Sequence, residues 1–267
     1  MKLAIIFWFY KEPEICLNRL ILIKKHNPDC RIFGLFGGDK NDAEMYQTKL
    51  DAYLDDFYVT TMCDKPKDYK WIHGDLMILD WYQNRGAWLD GWDSVAIVQW
   101  DALILGKIAD QLPGIKKGEL FISGTKRLDH FTESQWSWTK PDGDDYDNYI
   151  AFKKYIAEEH EYTDQLLCSL FIFSVFPREF FEKWLTIKDK EIGMLEYKLP
   201  TYAKIFNIPL YTKNLGVWWF EEKARRGETA MNALEVEISK DYIDSELKKE
   251  DGLRIFHPYF KIWDGGE

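Results

Sequence analysis

The chain has 267 residues, 46% apolar and 30% charged, the balance of a globular protein with a core large enough to need no covalent staple. A formal net charge of −10 argues against broad, sequence-independent nucleic-acid binding, which needs a basic surface, although a local basic pocket for a phosphorylated ligand is compatible with it. Cys16, Cys30, Cys63 and Cys168 are scattered with no C-x-x-C pair, which speaks against a cysteine zinc site and for reduced thiols in the cytoplasm. No run approaches the roughly 20 apolar residues that span a bilayer, so no transmembrane segment is expected, while peripheral contact with an inner membrane surface stays open.

Met1 to Tyr10 is apolar but short and meets Lys11, Glu12 and Glu14 with no small-residue cleavage site, so Leu3–Phe9 reads as a first buried strand rather than a signal peptide. Pro13 suits the first position of a helix, and Lys25-His26 suits its end before Asn27-Pro28. Arg31–Phe36 reads as a second strand closed by Gly37-Gly38-Asp39, completing a β-α-β unit. A helix over Ala43–Leu54, a short strand over Asp56–Thr60, a polar loop over Asp64–Asp68 and a helix over Tyr69–Ala87 follow. Asp93-Ser-Val-Ala-Ile-Val-Gln-Trp-Asp101 then reads as a strand buried on both faces with a carboxylate at its carboxyl end, the rim where ligands dock in open α/β sheets.

After Pro113-Gly114 the texture changes. Leu120–Ser123 reads as a short strand, and Thr125–Asn148 as a long loop with Trp136, Trp138 and the aspartates Asp129, Asp142, Asp144, Asp145 and Asp147, either a solvated mobile segment or a lid. Tyr149–His160 reads as a helix, Leu166–Phe176 as one apolar strand, and Pro177 opens a helix through Trp184. Ile208–Tyr211 reads as another short strand, Val217–Arg226 is aromatic then charged, and Met231–Glu250 is a polar helix or a mobile segment. The sequence shows no internal repeat and no long linker. One domain is expected, with residues 1–112 as a nucleotide-binding half and 113–267 as a second half with a C-terminal closing segment.

This succession resembles the GT-A glycosyltransferases. Gln99-Trp100-Asp101 stands where that family has Asp-x-Asp, Glu196 in Leu195-Glu196-Tyr197-Lys198-Leu199-Pro200-Thr201 resembles its acidic acceptor-side position, and His257-Pro258-Tyr259-Phe260-Lys261-Ile262-Trp263 resembles its closing segment. The resemblance implies a Rossmann-like α/β fold, a mostly parallel sheet with helices on both faces. It also implies transfer of a sugar from a nucleotide sugar, a UDP- or GDP-sugar for instance, to a glycan or glycolipid acceptor in polysaccharide biosynthesis. Expulsion of a diphosphate calls for a divalent cation; Asp101 and His257 with phosphate oxygens would suit Mn2+ or, less well, Mg2+. Lys261 would neutralise phosphate charge and Glu196 would act as general base, with Asp164, Glu191 and Asp142 as rivals.

The same resemblance places Phe9, Tyr10, Lys11, Asp75, Gln99 and Trp100 around the nucleotide sugar, with Arg19 and Asp39 as further candidates. Trp136 and Trp138 alternate in a loop, which would point both the same way, and their aromatic faces suit an acceptor sugar. For each, an ordinary packing or surface role is the alternative. Gln99 departs from the family pattern: one acid fewer should weaken metal binding, and it leaves open a metal-independent enzyme or a non-catalytic sugar- or protein-binding module. Ser123-Gly124-Thr125-Lys126-Arg127-Leu128 echoes a nucleotidyltransferase glycine-rich loop, but it lies mid-chain rather than after the first strand.

Overall fold

A computed structural model describes residues 1–265. The first half runs β1 (Leu3–Phe9), α1 (Pro13–His26), β2 (Ile32–Phe36), α2 (Ala43–Leu50), β3 (Asp56–Val59), α3 (Lys67–Ile72), α4 (Gly74–Asn84), β4 (Ser94–Gln99), β5 (Leu103–Ile104) and α5 (Ile108–Gln111). The second runs β6 (Phe121–Ile122), β7 (Lys126–Arg127), α6 (His130–Gln135), α7 (Tyr146–His160), β8 (Leu167–Cys168), β9 (Phe173–Pro177), α8 (Arg178–Leu185), α9 (Leu195–Ile205), α10 (Glu222–Arg225), α11 (Lys240–Leu247) and β10 (Ile255–Phe256).

The central sheet has the order β3-β2-β1-β4-β9-β6. β3, β2, β1 and β4 are parallel, and β9 runs against both β4 and β6. Alternation along each strand feeds two cores. Ala4, Ile6, Trp8, Val95 and Ile97 face the layer of α4, α8 and α9, while Ile5, Phe7, Phe9, Ala96 and Val98 face the layer of α1 and α2. The mostly parallel sheet with helices on both faces is thus present, and both halves of the chain contribute strands to it.

Several boundaries differ from expectation. The helix expected over Tyr69–Ala87 is two helices parted at His73-Gly74; Trp8 lies so close to Gly74 that a Cβ there would come within 2.4 Å of its ring. The single strand expected over Leu166–Phe176 is β8 and β9 separated by a loop, Ser169–Ile172. Ile208–Tyr211 contributes only a bridge from Leu210 to Leu120. The long loop after Thr125 holds β7 and α6, and α7 begins at Tyr146. Met231–Glu250 folds into a helix only over α11. The break in the Leu166–Phe176 run comes from hydrogen bonds of its loop to Ser123 and Glu196, which periodicity does not register.

Candidate functional site

The rim at the carboxyl ends of β1 and β4 carries the candidate residues. Trp100 N–H donates to the Trp8 carbonyl at 2.9 Å, which keeps the two strand ends together past the ladder. β5 then pairs antiparallel with β10, Ile104 with Ile255 and Leu103 with Phe256. Continuing that antiparallel register brings His257 opposite Ala102 and Pro258 opposite Asp101, and the Tyr259 N–H donates to the Asp101 carbonyl at 2.9 Å. Residues far apart in sequence are therefore brought together by two short strands.

At this point His257 Nε2 lies 3.4 Å from Asp101 Oδ1, and both side chains are only 12% exposed. The other ring nitrogen, Nδ1, is 2.8 Å from the Asn232 carbonyl. A carbonyl only accepts, so Nδ1 carries the proton and Nε2 faces the carboxylate. Asp101 Oδ1 is buried, and among the described residues no group besides His257 Nε2 pairs with it. Burial opposes charge on Asp101, but the His257 charge and hydrogen bond, with Lys11 adding, outweigh it and hold the carboxyl below its usual range. Burial likewise disfavours imidazolium, yet facing Asp101 raises His257 above its ordinary value. The two groups are paired through either a proton or a shared cation.

A divalent cation fits this donor set: one hard carboxylate oxygen that faces nothing but the imidazole, and one imidazole nitrogen whose tautomer is fixed by a carbonyl behind it. Oxygen plus nitrogen suits Mn2+ better than Mg2+. Among the described residues no group of three or more His, Cys, Asp or Glu side chains could hold a metal ion, so any remaining ligands would come from water or a substrate.

Around the pair, Tyr10 is exposed and meets the Trp100 ring edge-on at 6.0 Å. Lys11 Nζ lies 4.8 Å from the centre of the Trp100 ring and 5.6 Å from that of Tyr10. The loop after β1 holds Glu12 at φ 57°, a left-handed conformation that is uncommon outside glycine. Trp100 itself is buried and stacks on Phe260.

Glu196 stands in the first turn of α9. Pro200, four residues on, has no N–H, so the Glu196 carbonyl loses its helical partner. That carbonyl accepts instead from the Ser169 N–H and the Ser169 hydroxyl, each at 2.9 Å. Glu196 Oε1 accepts from the Phe171 N–H at 2.7 Å. The Phe171 carbonyl in turn accepts from Gln99 Nε2 at 2.9 Å. The loop between β8 and β9 thus ties the end of β4 to the start of α9. Burial raises the Glu196 pKa to about 7, against a smaller opposing pull from the Phe171 hydrogen bond.

Other expected contacts lie elsewhere. Phe9 is fully buried among Phe7, Phe36, Tyr46 and Phe57, so it packs the core instead of meeting a nucleotide. Trp100 is likewise covered by Phe260. Asp75 is fully buried in an ion pair with Lys198, 2.6 Å apart, so it is neither at the surface nor open to a donor sugar. Lys261 is 72% exposed, and its ammonium is paired with Glu237. Trp136 is buried edge-on to Tyr197 and Trp219, whereas Trp138 meets the exposed Trp71, so the two indoles do not share a face. Arg19 is buried and donates to Asn18 Oδ1 and to the Tyr259 and Lys261 carbonyls, so its guanidinium holds the chain's own backbone from within the core. Asp39 caps the turn at Asn41.

Sequence reasoning missed Asn18, Asn232, Ser169 and Phe171, and gave Arg19 a nucleotide in place of the Tyr259 and Lys261 carbonyls. Their roles rest on backbone groups of distant segments, for which residue type carries no signal.

A cleft of about 400 Å3 lies at the sheet edge, lined by Gly124, Lys126, Tyr211, Asn214, Val217 and Trp219. Lys126 Nζ sits 4.7 Å from the centre of the Trp219 ring. Val217 bridges to Met231 and Met231 to His257, which places this cleft beside the rim. A larger cleft of about 550 Å3, between α4 and Lys188–Ile192, includes none of the rim residues.

No family model matches the chain, and no curated protein matches it. Among solved structures it is similar to the apo structure of the bifunctional glycosyltransferase WbbM, at 10% identity and a TM-score of 0.43, over 96% of this chain and 45% of that one. It is also similar to the galactosyltransferase LgtC in complex with donor and acceptor sugar analogues, at 12% identity and a TM-score of 0.44, over 80% of this chain and 74% of that one. The chain spans less than half the length of WbbM. Both likenesses concern the course of the backbone, and both proteins are named as glycosyltransferases.

Proposed function

We propose that the chain is a glycosyltransferase that moves a sugar from a nucleotide-sugar donor to a glycan or glycolipid acceptor with the help of a divalent cation. The observation that carries this reading is the Asp101–His257 pair, a buried carboxylate oxygen facing only a tautomerically fixed imidazole at the carboxyl rim of a mostly parallel sheet. Asp101 and His257 would hold Mn2+ or Mg2+, which would supply Lewis-acid stabilisation to a departing diphosphate. Tyr10 offers a ring at the same rim for a nucleobase, and Lys11 offers a cation for phosphate charge.

Glu196 is suited to take a proton from an acceptor hydroxyl, because burial brings its pKa close to neutrality, where a general base works best. The cleft beside Trp219 offers an aromatic face to an acceptor sugar ring. No helix among the described residues is long and apolar enough to cross a membrane, so a glycolipid acceptor would be met at a surface.

The test is a thermal-shift panel of UDP, GDP, CMP and dTDP with and without Mn2+. One nucleotide is expected to stabilise the protein only when Mn2+ is present, by about 2.7 kcal/mol at roughly a hundredfold excess over Kd. Asp101→Ala is expected to remove that response and any transfer activity while leaving the fold intact. A flat panel, with a response to free glycans instead, would replace this reading with that of a sugar-binding module.

A further inference from the structure

Gln99 occupies the position where the resemblance expects an acid, and its side chain has a defined task. Its amide donates to the Phe171 carbonyl at 2.9 Å. Only the NH2 end can face a carbonyl, and a carboxylate there would set two acceptors against each other. The neighbouring peptide of Phe171 donates to Glu196 Oε1 at 2.7 Å, and Ser169 is anchored on the carbonyl that Pro200 leaves free. Leu170 is pinned as well, its N–H to the Ser123 carbonyl at 2.9 Å and its own carbonyl to the Ser123 hydroxyl at 2.6 Å. Of the four-residue loop, Phe171 is the one that links the end of β4 to the carboxylate of α9.

We infer that Gln99 is a positioning residue for Glu196, acting through the Phe171 backbone, and that the amide in place of an acid serves this link and is not a lost metal ligand. The inference rests on the proposed role of Glu196 for its catalytic meaning, but the link itself is measurable without substrate. A Glu196 carboxylate held by the Phe171 N–H has one oxygen committed and its orientation fixed. Slackening the loop lets the carboxylate turn away and removes a hydrogen bond that favours its charged form.

The test uses the full chain. The Glu196 carboxyl is followed by NMR through a pH titration, its signal assigned by its loss in Glu196→Gln, together with hydrogen exchange at the Phe171 amide. Gln99→Met, which keeps the length but removes the donor, is expected to raise the Glu196 midpoint by about one pH unit, the scale of one hydrogen bond to a charged group. It is also expected to speed Phe171 exchange by roughly tenfold or more. Pro200→Ala, which lets α9 reclaim the Glu196 carbonyl from Ser169, should move both readouts in the same direction by an independent route.

Gln99→Asp should behave like Gln99→Met and should not tighten Mn2+ binding. Wild-type midpoint and exchange in both Gln99→Met and Pro200→Ala would overturn the inference, as would a tenfold gain in Mn2+ affinity in Gln99→Asp with Phe171 still protected. If no nucleotide sugar is ever turned over, the function proposed above fails while these readouts still decide the link. If transfer is found, its lower pH limb should shift upward in Gln99→Met along with the NMR midpoint.

Discussion

Glu196 shows what a buried carboxyl costs the fold. Its carboxyl is buried, and its pKa is raised from the ordinary glutamate value to about 7. A raised folded-state pKa means the native protein binds the proton more tightly than the unfolded chain. The stability contributed by protonated Glu196 is full below the unfolded pKa and is lost as pH rises through about 7. Glu196→Gln keeps an acceptor for the Phe171 N–H and removes the charge. It is expected to be more stable than the parent at pH 8, by up to roughly 3 kcal/mol, with the gap closing toward pH 4. Chemical denaturation at the two pH values measures this, and a gap that stays constant with pH would exclude a buried titrating Glu196. The same variant should lose transfer activity, whose parent profile should rise through pH 7.

Asp101 was legible in the sequence because a buried strand ending in an acid is a pattern with a physical cause. Gln99 was not, because its partner is the carbonyl of Phe171, in a stretch that reads as unbroken strand. Glu196 and His257 were reachable only through resemblance: nothing in their local composition shows that Pro200 frees a carbonyl or that β10 pairs with β5.

At the scale of elements, α4 and α9 are joined by the fully buried Asp75–Lys198 pair. Lys198 also donates to the Lys190 carbonyl, so the ammonium is shared between a charge and a backbone acceptor. Burial pushes the Asp75 carboxyl up even though Lys198 pulls it down. The same burial drives His73, at the break between α3 and α4, down to about 4, with Lys198 adding to it. Breaking such a pair costs more than deleting it whole. Lys198→Met is expected to destabilise the protein by about 3–5 kcal/mol, and the double variant Asp75→Leu with Lys198→Met to recover most of that loss. Because unpaired Asp75 can escape by taking up a proton, the cost of Lys198→Met should grow from pH 6 to pH 8. Urea unfolding of the two variants checks both statements, and equal stability of single and double variants would contradict them. The pair was missed from sequence because Asp75 and Lys198 both look like ordinary charges on helix faces. The α3–α4 break was missed because Gly74 yields to Trp8, a strand residue.

Across the whole molecule, the two halves meet in one sheet, and the segment Tyr259–Trp263 returns over α1. Asn18 exchanges two hydrogen bonds with the backbone of Trp263, and Arg19 holds the Tyr259 and Lys261 carbonyls. Burial lowers the Arg19 pKa to about 10, partly offset by the Tyr259 and Asp101 side chains. This clamp fixes the segment that presents His257 to Asp101. Arg19→Met should free it: amide protection across Phe256–Trp263 should fall while that of β1 and β4 is kept, and Mn2+-dependent nucleotide binding should weaken with it. Unchanged protection in hydrogen exchange would show that β5–β10 pairing alone seats the histidine. The mostly parallel sheet followed from the β-α-β rhythm of the first half, whereas its strand order and the clamp could not be read, since β9 and β6 come from the second half and an Arg on a helix otherwise signals a solvated face.

The most direct measurement is an anomalous difference map from crystals grown with Mn2+ and the nucleotide selected by the thermal-shift panel. The expected result is a manganese peak bonded to both Asp101 and His257 and to phosphate oxygens of the nucleotide, absent in Asp101→Ala. Nucleotide bound at this rim with no metal on Asp101 and His257, or manganese bound elsewhere in the chain, would contradict it.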